Sequence, residues 1–141
     1  MEISESNTQE KWIKHNSVDI PKGSYFVTDF SQNADGVRII LDDEKNIVEI
    51  YFNGVPSITR ISVEGIRMRT CREVLKKYDD EYFFRNCFLF MIENSDLSKW
   101  AAEESCGFYE AEKLKHYCIV TMEEVIDILA TFEPKISVSH I

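Results

Sequence analysis

The chain has 141 residues, of which 44% are hydrophobic and 12% aromatic, and it carries a formal net charge of −9. This length and hydrophobic content are typical of one folded domain and argue against a disordered chain. The negative charge argues against nucleic acid and against an anionic membrane as the main partner, because both would be repelled. A basic protein partner is favoured instead.

The cysteine and histidine spacings match no common metal or redox motif. The cysteines are at positions 71, 87, 106 and 118, and the histidines are at positions 15, 116 and 140. We therefore expect no metal and no other cofactor, and we expect the cysteines to be small buried side chains with reduced thiols. Because residues 1–6 lack the features of a secretory signal and no apolar stretch is long enough to span a membrane, we expect a cytoplasmic protein.

The hydrophobic pattern predicts a single domain, residues 1–141, in three parts. Residues 1–23 are mostly polar and predict an N-terminal arm or a short helix. Residues 24–69 alternate between apolar and polar side chains and predict a β-meander. Residues 70–141 change to a mixture of helical and strand-like periods, which predicts a mixed α/β half.

The clearest local signal is the pair Asn53–Gly54, which joins the alternating runs 46–52 and 55–62. An Asn-Gly pair between two strand-like runs is typical of a type I′ hairpin turn, because both turn residues need positive φ. The pattern predicts a hairpin at this point. Residues 64–69 alternate again and predict that its second strand continues past a bulge at Gly65.

Four other runs predict strands. Residues 24–30 and 37–41 are rich in aromatic and β-branched side chains, and residues 116–120 form a similar run near the end of the chain. Residues 86–93 are almost continuously apolar, which is typical of a strand buried on both faces.

Three positions predict the start of a helix. Thr70 and Thr121 each begin an S/T-x-x-E capping box, and Ser95 precedes a helical spacing of apolar residues. The last helix is expected over 125–132, before Pro134. The expected fold is α+β, with an antiparallel sheet of about five to seven strands and three or so helices on one face. The predicted core comprises Phe88, Phe90, Ile92, Trp100, Ile119, Ile126 and Leu129.

Acidic clusters on predicted turns are the candidate partner-binding residues. A single cluster of this kind is most often a solvated turn or a helix terminus, where negative charge is favoured. In a chain of net charge −9, however, two clusters on exposed turns can form an acidic face without disturbing a core. The candidates are Asp42, Asp43, Glu44, Asp79, Asp80 and Glu81.

The arginines Arg60, Arg67 and Arg69 are candidates for an anion-binding site, since their spacing would place them on one face of a continuing strand. The simpler interpretation is that they balance nearby carboxylates. His116, followed by Tyr117 and Cys118, could suggest a base beside a nucleophile. Adjacent residues of a strand point to opposite faces, however, and a nucleophile and its base must share a hydrogen bond. A structural role is therefore expected for this histidine.

The C-terminal half resembles small acidic immunity proteins of bacterial polymorphic or contact-dependent toxin systems. The matching residues are Glu93–Leu97 with Trp100, Glu104–Gly107, His116–Thr121, Ile126–Leu129 and Glu133–Pro134. The resemblance implies a non-enzymatic protein that binds a cognate toxin and neutralises it. Electrostatic steering onto a basic active site would then provide fast association.

A second interpretation stays open from the residues alone. A small ligand-binding or anion-binding domain, or an enzyme, would use the predicted sheet arginines, and it would need a concave pocket with convergent polar groups. A regulatory subunit of a larger assembly is a third possibility.

Overall fold

The structure, a computed structural model, describes residues 9–15 and 18–141. Residues 1–8 and 16–17 lie outside this part, so the predicted N-terminal arm is seen only in part. Within it the chain forms nine β-strands, three α-helices and two 3₁₀ helices, and the predicted α+β class is confirmed. The strands are β1 (Lys11–Lys14), β2 (Phe26–Asn33), β3 (Gly36–Asp42), β4 (Asn46–Phe52), β5 (Ile58–Val63), β6 (Leu89–Glu93), β7 (Lys115–Val120), β8 (Glu124–Ala130) and β9 (Lys135–His140). The α-helices are α1 (Met68–Tyr78), α2 (Phe83–Asn86) and α3 (Asp96–Glu104), and the 3₁₀ helices are Glu64–Arg67 and Ala111–Lys113.

The strands divide between two antiparallel sheets. The central sheet has the order β1-β6-β7-β8-β5, and the outer sheet has the order β2-β3-β4-β9. In β4 every second residue is buried, because one face of the outer sheet packs against the central sheet. In β7 and β8, by contrast, residues on both faces are buried, since the central sheet is covered on both sides.

The core between the two sheets is formed by aliphatic and aromatic side chains that alternate along the strands. From the outer sheet it includes Val37, Ile39, Leu41, Val48, Ile50 and Phe52, and from the central sheet Leu89, Tyr117, Ile119, Ile126, Ile128 and Ala130. Several of these side chains are fully enclosed, so burial here contributes a large share of the folding free energy.

A second core lies between the central sheet and the helices. Helix α1 buries Cys71 and Val74 against the sheet, with Tyr78 one turn further along the same face. The ring of Phe83 stacks on Tyr78 at 4.7 Å and on Phe90 of β6 at 5.0 Å, which joins α1, α2 and the sheet. Of the helices in the described part of the chain, none has the length and apolarity needed to cross a membrane.

The hairpin predicted at Asn53–Gly54 is wrong. Strand β4 pairs with β3 and β9, whereas β5 pairs with β8 in the other sheet. Gly54 does have a positive φ of +145°, so the pair marks an unusual backbone conformation. The conformation of two residues does not determine whether the strands on either side of them pair with each other. Here the chain crosses from the outer sheet to the central sheet after Gly54.

The helix predicted over 125–132 is also wrong, since these residues contribute most of strand β8. Thr121 Oγ1 accepts a hydrogen bond from the backbone N–H of Glu124 at 3.1 Å, as a capping box requires, but this bond shapes the turn between β7 and β8. The same side-chain bond occurs in helix caps and in turns, so it does not distinguish them.

Two further segments differ from the prediction. The expected strand over 64–69 is a 3₁₀ helix followed by α1, which begins at Met68, two residues before Thr70. Residues 11–14 of the expected arm form strand β1, paired with β6, and residues 135–140 form β9, which the pattern did not predict.

Helix α3 begins as predicted, with Ser95 as its N-cap accepting from the N–H of Ser98. The residues of the predicted single core are buried except Trp100, which is 52% exposed, but they divide between the two cores: Phe88, Ile119 and Ile126 lie in the first, and Phe90 and Ile92 in the second. Trp100 lies at helical spacing, but on the outward face of α3. Buried as predicted are Phe88, Phe90, Ile92, Ile119, Ile126 and Leu129.

Two glycines provide a matched test of this packing. Gly36 has a φ of +143°, and a Cβ atom there would lie 1.9 Å from the carbonyl oxygen of Phe52 on β4, whereas a Cβ at Gly65 would meet nothing within 4 Å. We expect Gly36→Ala to lower the free energy of unfolding by about 1–3 kcal/mol or more, since backbone must shift at a strained φ. Gly65→Ala should change it by less than about 1 kcal/mol. Urea unfolding followed by circular dichroism would measure both, and equal losses would contradict the assigned β3–β4 packing.

Candidate functional site

The first predicted acidic loop, Asp42 to Glu44, forms the turn between β3 and β4. The carboxylate of Asp42 accepts a hydrogen bond from the N–H of Glu44 at 2.5 Å. The carboxylate of Asp43 accepts from the N–H groups of Lys45 at 3.0 Å and Asn46 at 2.6 Å. Asp42 and Asp43 therefore hold the turn, while the exposed Glu44, at a φ of +74°, presents its carboxylate to solvent.

The second predicted acidic loop, Asp79 to Glu81, follows helix α1. Asp79 ends the helix in the left-handed conformation with a φ of +48°. Asp80 accepts a hydrogen bond from the N–H of Tyr82 at 2.9 Å and is partly buried. Asp79 and Glu81 are exposed, so this loop also divides between turn-forming and solvent-facing carboxylates.

The second acidic loop reaches a groove of about 960 Å³, and the first lies against the outside of its wall at Asp43. Glu81 and Gly23 line the groove, and a Cβ atom at Gly23 would lie only 2.2 Å from a carboxylate oxygen of Asp43, so this acidic turn packs behind the groove wall. The floor is apolar and the wall also carries cationic side chains. The apolar residues include Leu75, Phe84, Phe88, Leu89 and Val120, and the cationic ones include Lys14, Lys22 and Arg85.

The candidate arginines Arg60, Arg67 and Arg69 do not lie along one strand. Arg60 is on β5, Arg67 is in the 3₁₀ helix and Arg69 is in α1, because the predicted strand over 64–69 is helical. Arg60 and Arg67 both bind the carboxylate of Asp127, at 2.9 Å and 2.5 Å. Two of the three arginines thus balance a carboxylate, as the simpler interpretation expected, but their partner is a residue of β8.

Asp127 is the centre of a buried polar cluster on the helix-facing side of the central sheet. Its side chain is fully buried, and its second carboxylate oxygen lies 2.7 Å from His116 Nε2 on β7. Burial alone would raise the pKa of Asp127, but the hydrogen bond from His116 and the positive charges of Arg67 and Arg60 outweigh it and hold the pKa well below its usual value. The carboxylate therefore stays ionised in the interior.

His116 extends this cluster to helix α3. Its Nδ1 lies 2.7 Å from Ser95 Oγ, and the same hydroxyl oxygen accepts from the N–H of Ser98 at 3.1 Å. Because an ionised carboxylate only accepts, Nε2 of His116 donates to Asp127, and Nδ1 of the same ring shares a hydrogen bond with Ser95 Oγ. The order of contacts is Ser95–His116–Asp127, with Arg60 and Arg67 behind the carboxylate.

A serine, a histidine and an aspartate in hydrogen-bonded series suggest nucleophilic catalysis, but the geometry favours a structural role. Ser95 is only 3% exposed, and its Oγ is already occupied as the N-cap of α3. The serine contacts Nδ1 and the aspartate contacts Nε2, the reverse of the arrangement in serine proteases. Together these contacts tie α3 to the centre of the sheet.

His116, Cys118 and Asp127 also offer three potential metal ligands within 4.8 Å of one another. Both nitrogens of His116 and both oxygens of Asp127 already have protein partners. Burial raises the pKa of the Cys118 thiol well above its usual value, which disfavours the thiolate that a metal needs. Two guanidinium groups beside Asp127 would also repel a cation, so the arrangement is better suited to a protein network than to a metal ion.

A different kind of surface lies on α3 and on the segment that follows it. Three aromatic side chains there are exposed: Trp100 by 52%, Phe108 by 83% and Tyr109 by 46%. The pattern placed Trp100 in the core, and it gave no role to Phe108 or Tyr109. Cys106, expected to be buried like the other cysteines, is exposed beside them.

The central role of Asp127 and Ser95 was not predicted from the sequence. One signal was available: Asp127 is the only charged residue among 125–130, in an otherwise apolar run. A carboxylate in such a run must be paired if the run is buried. Its partners come from β5, β7 and the 3₁₀ helix, and those positions follow only from the strand register.

Removal of the charge at Asp127 should destabilise the fold strongly. We expect Asp127→Asn to lower the free energy of unfolding by roughly 3–5 kcal/mol at pH 7, since the buried ion pair with Arg67, whose side chain is only 15% exposed, is broken. Glu49→Gln is the matched control, because Glu49 pairs with Arg38 on the exposed face of the outer sheet and such pairs contribute less than about 1 kcal/mol. Urea unfolding would measure both variants, and equal losses would contradict the structural role of the buried pair.

The same carboxylate should make stability depend on pH. The pKa of Asp127 is lower in the folded chain than in the unfolded chain, where it is about 3.9. Its contribution is therefore present above about pH 4 and is lost progressively as the pH falls below that value. The difference in unfolding free energy between wild type and Asp127→Asn should shrink as the pH falls below about 4. A constant difference down to pH 2.5 would contradict the ionised carboxylate.

Comparison of the chain with known proteins gives no family assignment. No protein-family model, no curated protein and no solved structure matches it. Function is therefore inferred from the residues of this chain and from their arrangement.

Proposed function

We propose that this chain is a bacterial immunity protein, which binds a cognate toxin domain in the cytoplasm and neutralises it by covering a basic active site with an acidic surface. The immunity function is what the resemblance of the C-terminal half implies, and the observation that supports a basic partner is the formal net charge of −9, combined with exposed carboxylates on turns. A protein with this charge attracts basic partners and repels nucleic acid. If the toxin domain is a nuclease, its basic active site binds nucleic acid, and an acidic protein that covers this site excludes that substrate.

The exposed carboxylates support the proposal because of where they lie. Glu44, Asp79 and Glu81 occupy turns at chain reversals, where a partner can approach without loss of core contacts. The other acidic residues of these turns, Asp42, Asp43 and Asp80, accept backbone hydrogen bonds and so fix the loop shapes. A preformed acidic loop loses little conformational entropy when it binds.

The side chains of the central polar cluster bind one another and not a ligand, which also favours a binding protein over an enzyme. Arg60, Arg67 and His116 are engaged by Asp127, and Ser95 caps a helix. The groove of about 960 Å³ is the observation that favours the alternative, a small ligand-binding or anion-binding domain or enzyme. The two functions differ in a measurable way, since an immunity protein needs no turnover and acts in proportion to its amount.

The proposal predicts protection of cells. It predicts that a toxin domain is encoded beside the gene of this protein, that this domain arrests growth when it is produced alone, and that co-production of this chain restores colony formation. The purified proteins should inhibit at a one-to-one ratio. Arrest that persists while the folded protein is present at equal amount would refute the proposal, and catalytic turnover of a small substrate would favour the alternative.

Charge reversals in the same assay test the acidic loops. Glu44→Lys with Glu81→Lys should slow association with the toxin domain by roughly tenfold in low salt. Asp29→Lys with Glu133→Lys makes an equal change in net charge at exposed positions elsewhere, and it should have a smaller effect. An increase in salt from about 0.05 to 0.5 M shortens the Debye length roughly threefold and should slow the wild type. An association rate that changes neither with salt nor with the charge reversals would rule out electrostatic steering.

A further inference from the structure

The end of helix α3 carries an apolar surface that no element of the described chain covers. We define the α3 surface as Trp100, Phe108 and Tyr109, which are 52%, 83% and 46% exposed. Trp100 lies on the outward face of α3, one turn before the helix ends at Glu104, and three residues separate that end from Phe108 and Tyr109. Three large aromatic side chains so close together along a chain are unusual on a free surface and are typical of binding sites.

Hydrogen bonds hold the segment after α3 in one shape. The N–H of Gly107 donates to the carbonyl oxygen of Ala102 at 2.9 Å, and the N–H of Phe108 donates to that of Ser105 at 3.0 Å. The N–H of Tyr109 donates to Ser105 Oγ at 3.1 Å. The two exposed rings contact each other edge to face, with centroids 5.2 Å apart. The aromatic side chains are therefore presented by an ordered turn, which lowers the entropy lost on binding.

The charge around the α3 surface is mainly negative. Four carboxylates flank it on the helix and on the segment that follows, and two lysines lie nearby, one of which, Lys113, pairs with Glu110 at 3.4 Å. The carboxylates are Glu103, Glu104, Glu110 and Glu112, and the lysines are Lys99 and Lys113. Exposed aromatic side chains with carboxylates on both sides along the chain are complementary to a basic protein surface that carries an apolar recess.

We propose that the α3 surface is the main docking site for the basic toxin domain, with Trp100 and Phe108 as the central anchors. This inference rests on the proposed function and deepens it, since it names the contact surface. Trp and Tyr are enriched among the residues that dominate binding energy, and a rim of polar residues that excludes water is their usual surrounding. The acidic loops at Glu44 and Glu81 then raise the association rate, and the aromatic side chains lower the dissociation rate.

A second copy of this chain is a less suitable occupant. A two-fold contact places the same patch on both sides of the interface, so the four carboxylates of one copy would face those of the other. Such juxtaposition of like charges is unfavourable. A basic partner removes this repulsion and gains attraction from the same residues.

Alanine variants separate the α3 surface from other exposed residues. Trp100→Ala and Phe108→Ala should each weaken binding of the toxin domain roughly 30-fold or more, mainly through faster dissociation. Ile66→Ala is the matched control, because Ile66 is 76% exposed on the 3₁₀ helix and lies outside the α3 surface, and it should change the Kd less than twofold. Biolayer interferometry with the toxin domain would give both rates, and an unchanged melting temperature would establish that each variant is folded.

Cys106 provides a second readout at the same place. It is exposed beside the aromatic side chains, whereas Cys71 and Cys118 are buried and Cys87 is half-buried with a raised pKa. Alkylation of Cys106 by N-ethylmaleimide, followed by mass spectrometry, should slow at least tenfold in the complex with the toxin domain. Protection of Cys106 that disappears with Trp100→Ala would confirm the site.

The outcomes distinguish this inference from the proposed function. If the wild-type chain neutralises the toxin domain and the alanine variants bind it equally well, the α3 surface is not the docking site and the immunity function stands. If the wild type neither binds nor protects, the proposed function fails. If the wild type alone sediments as a dimer and Trp100→Ala as a monomer, a second copy is the occupant and the inference is overturned.

Discussion

The rest of the structure depends on one buried ionic contact, the carboxylate of Asp127 in the middle of the central sheet. It binds Arg60 of the neighbouring strand β5, Arg67 of the 3₁₀ helix and His116 of the other neighbouring strand β7. Through His116 the contact extends to Ser95, which begins helix α3. A buried charge is tolerated only with such partners, so the positions of two strands and two helical elements are linked to this one side chain.

The molecule has three layers, the helices, the central sheet and the outer sheet, and its main polar cluster lies inside them. The central sheet packs against the outer sheet on one face and against helices on the other, and the best polar constellation of the chain is enclosed there. Ser95, His116 and Asp127 satisfy one another and leave little surface for a substrate. The groups that face solvent are loops, helix ends and edge strands, which is a distribution suited to recognition of another protein.

The acidic turns and the α3 surface would affect different rate constants of the same complex. Charges on exposed turns such as Glu44 and Glu81 act over a Debye length and change the rate of encounter. Aromatic side chains such as Trp100 act only in contact and change the rate of dissociation. The proposed complex would use both effects, and the chain carries the residues for each in separate places.

The sequence by itself determined the α+β class, several strands and most of the core, because alternation and continuous apolar runs report local burial. Strand β3, the doubly buried strand β6 and the cap at Ser95 are examples. The tertiary structure alone decided what depends on distant partners. Thr121 makes the same side-chain bond in a turn as in a helix cap, Asn53–Gly54 leads to a strand of the other sheet, and Trp100 faces outward on a helix whose spacing suits either face. Asp127 became the centre of the fold only when the register of β5, β7 and β8 placed Arg60 and His116 beside it, since pairing between strands far apart in sequence is set by the whole packed core and not by any local pattern.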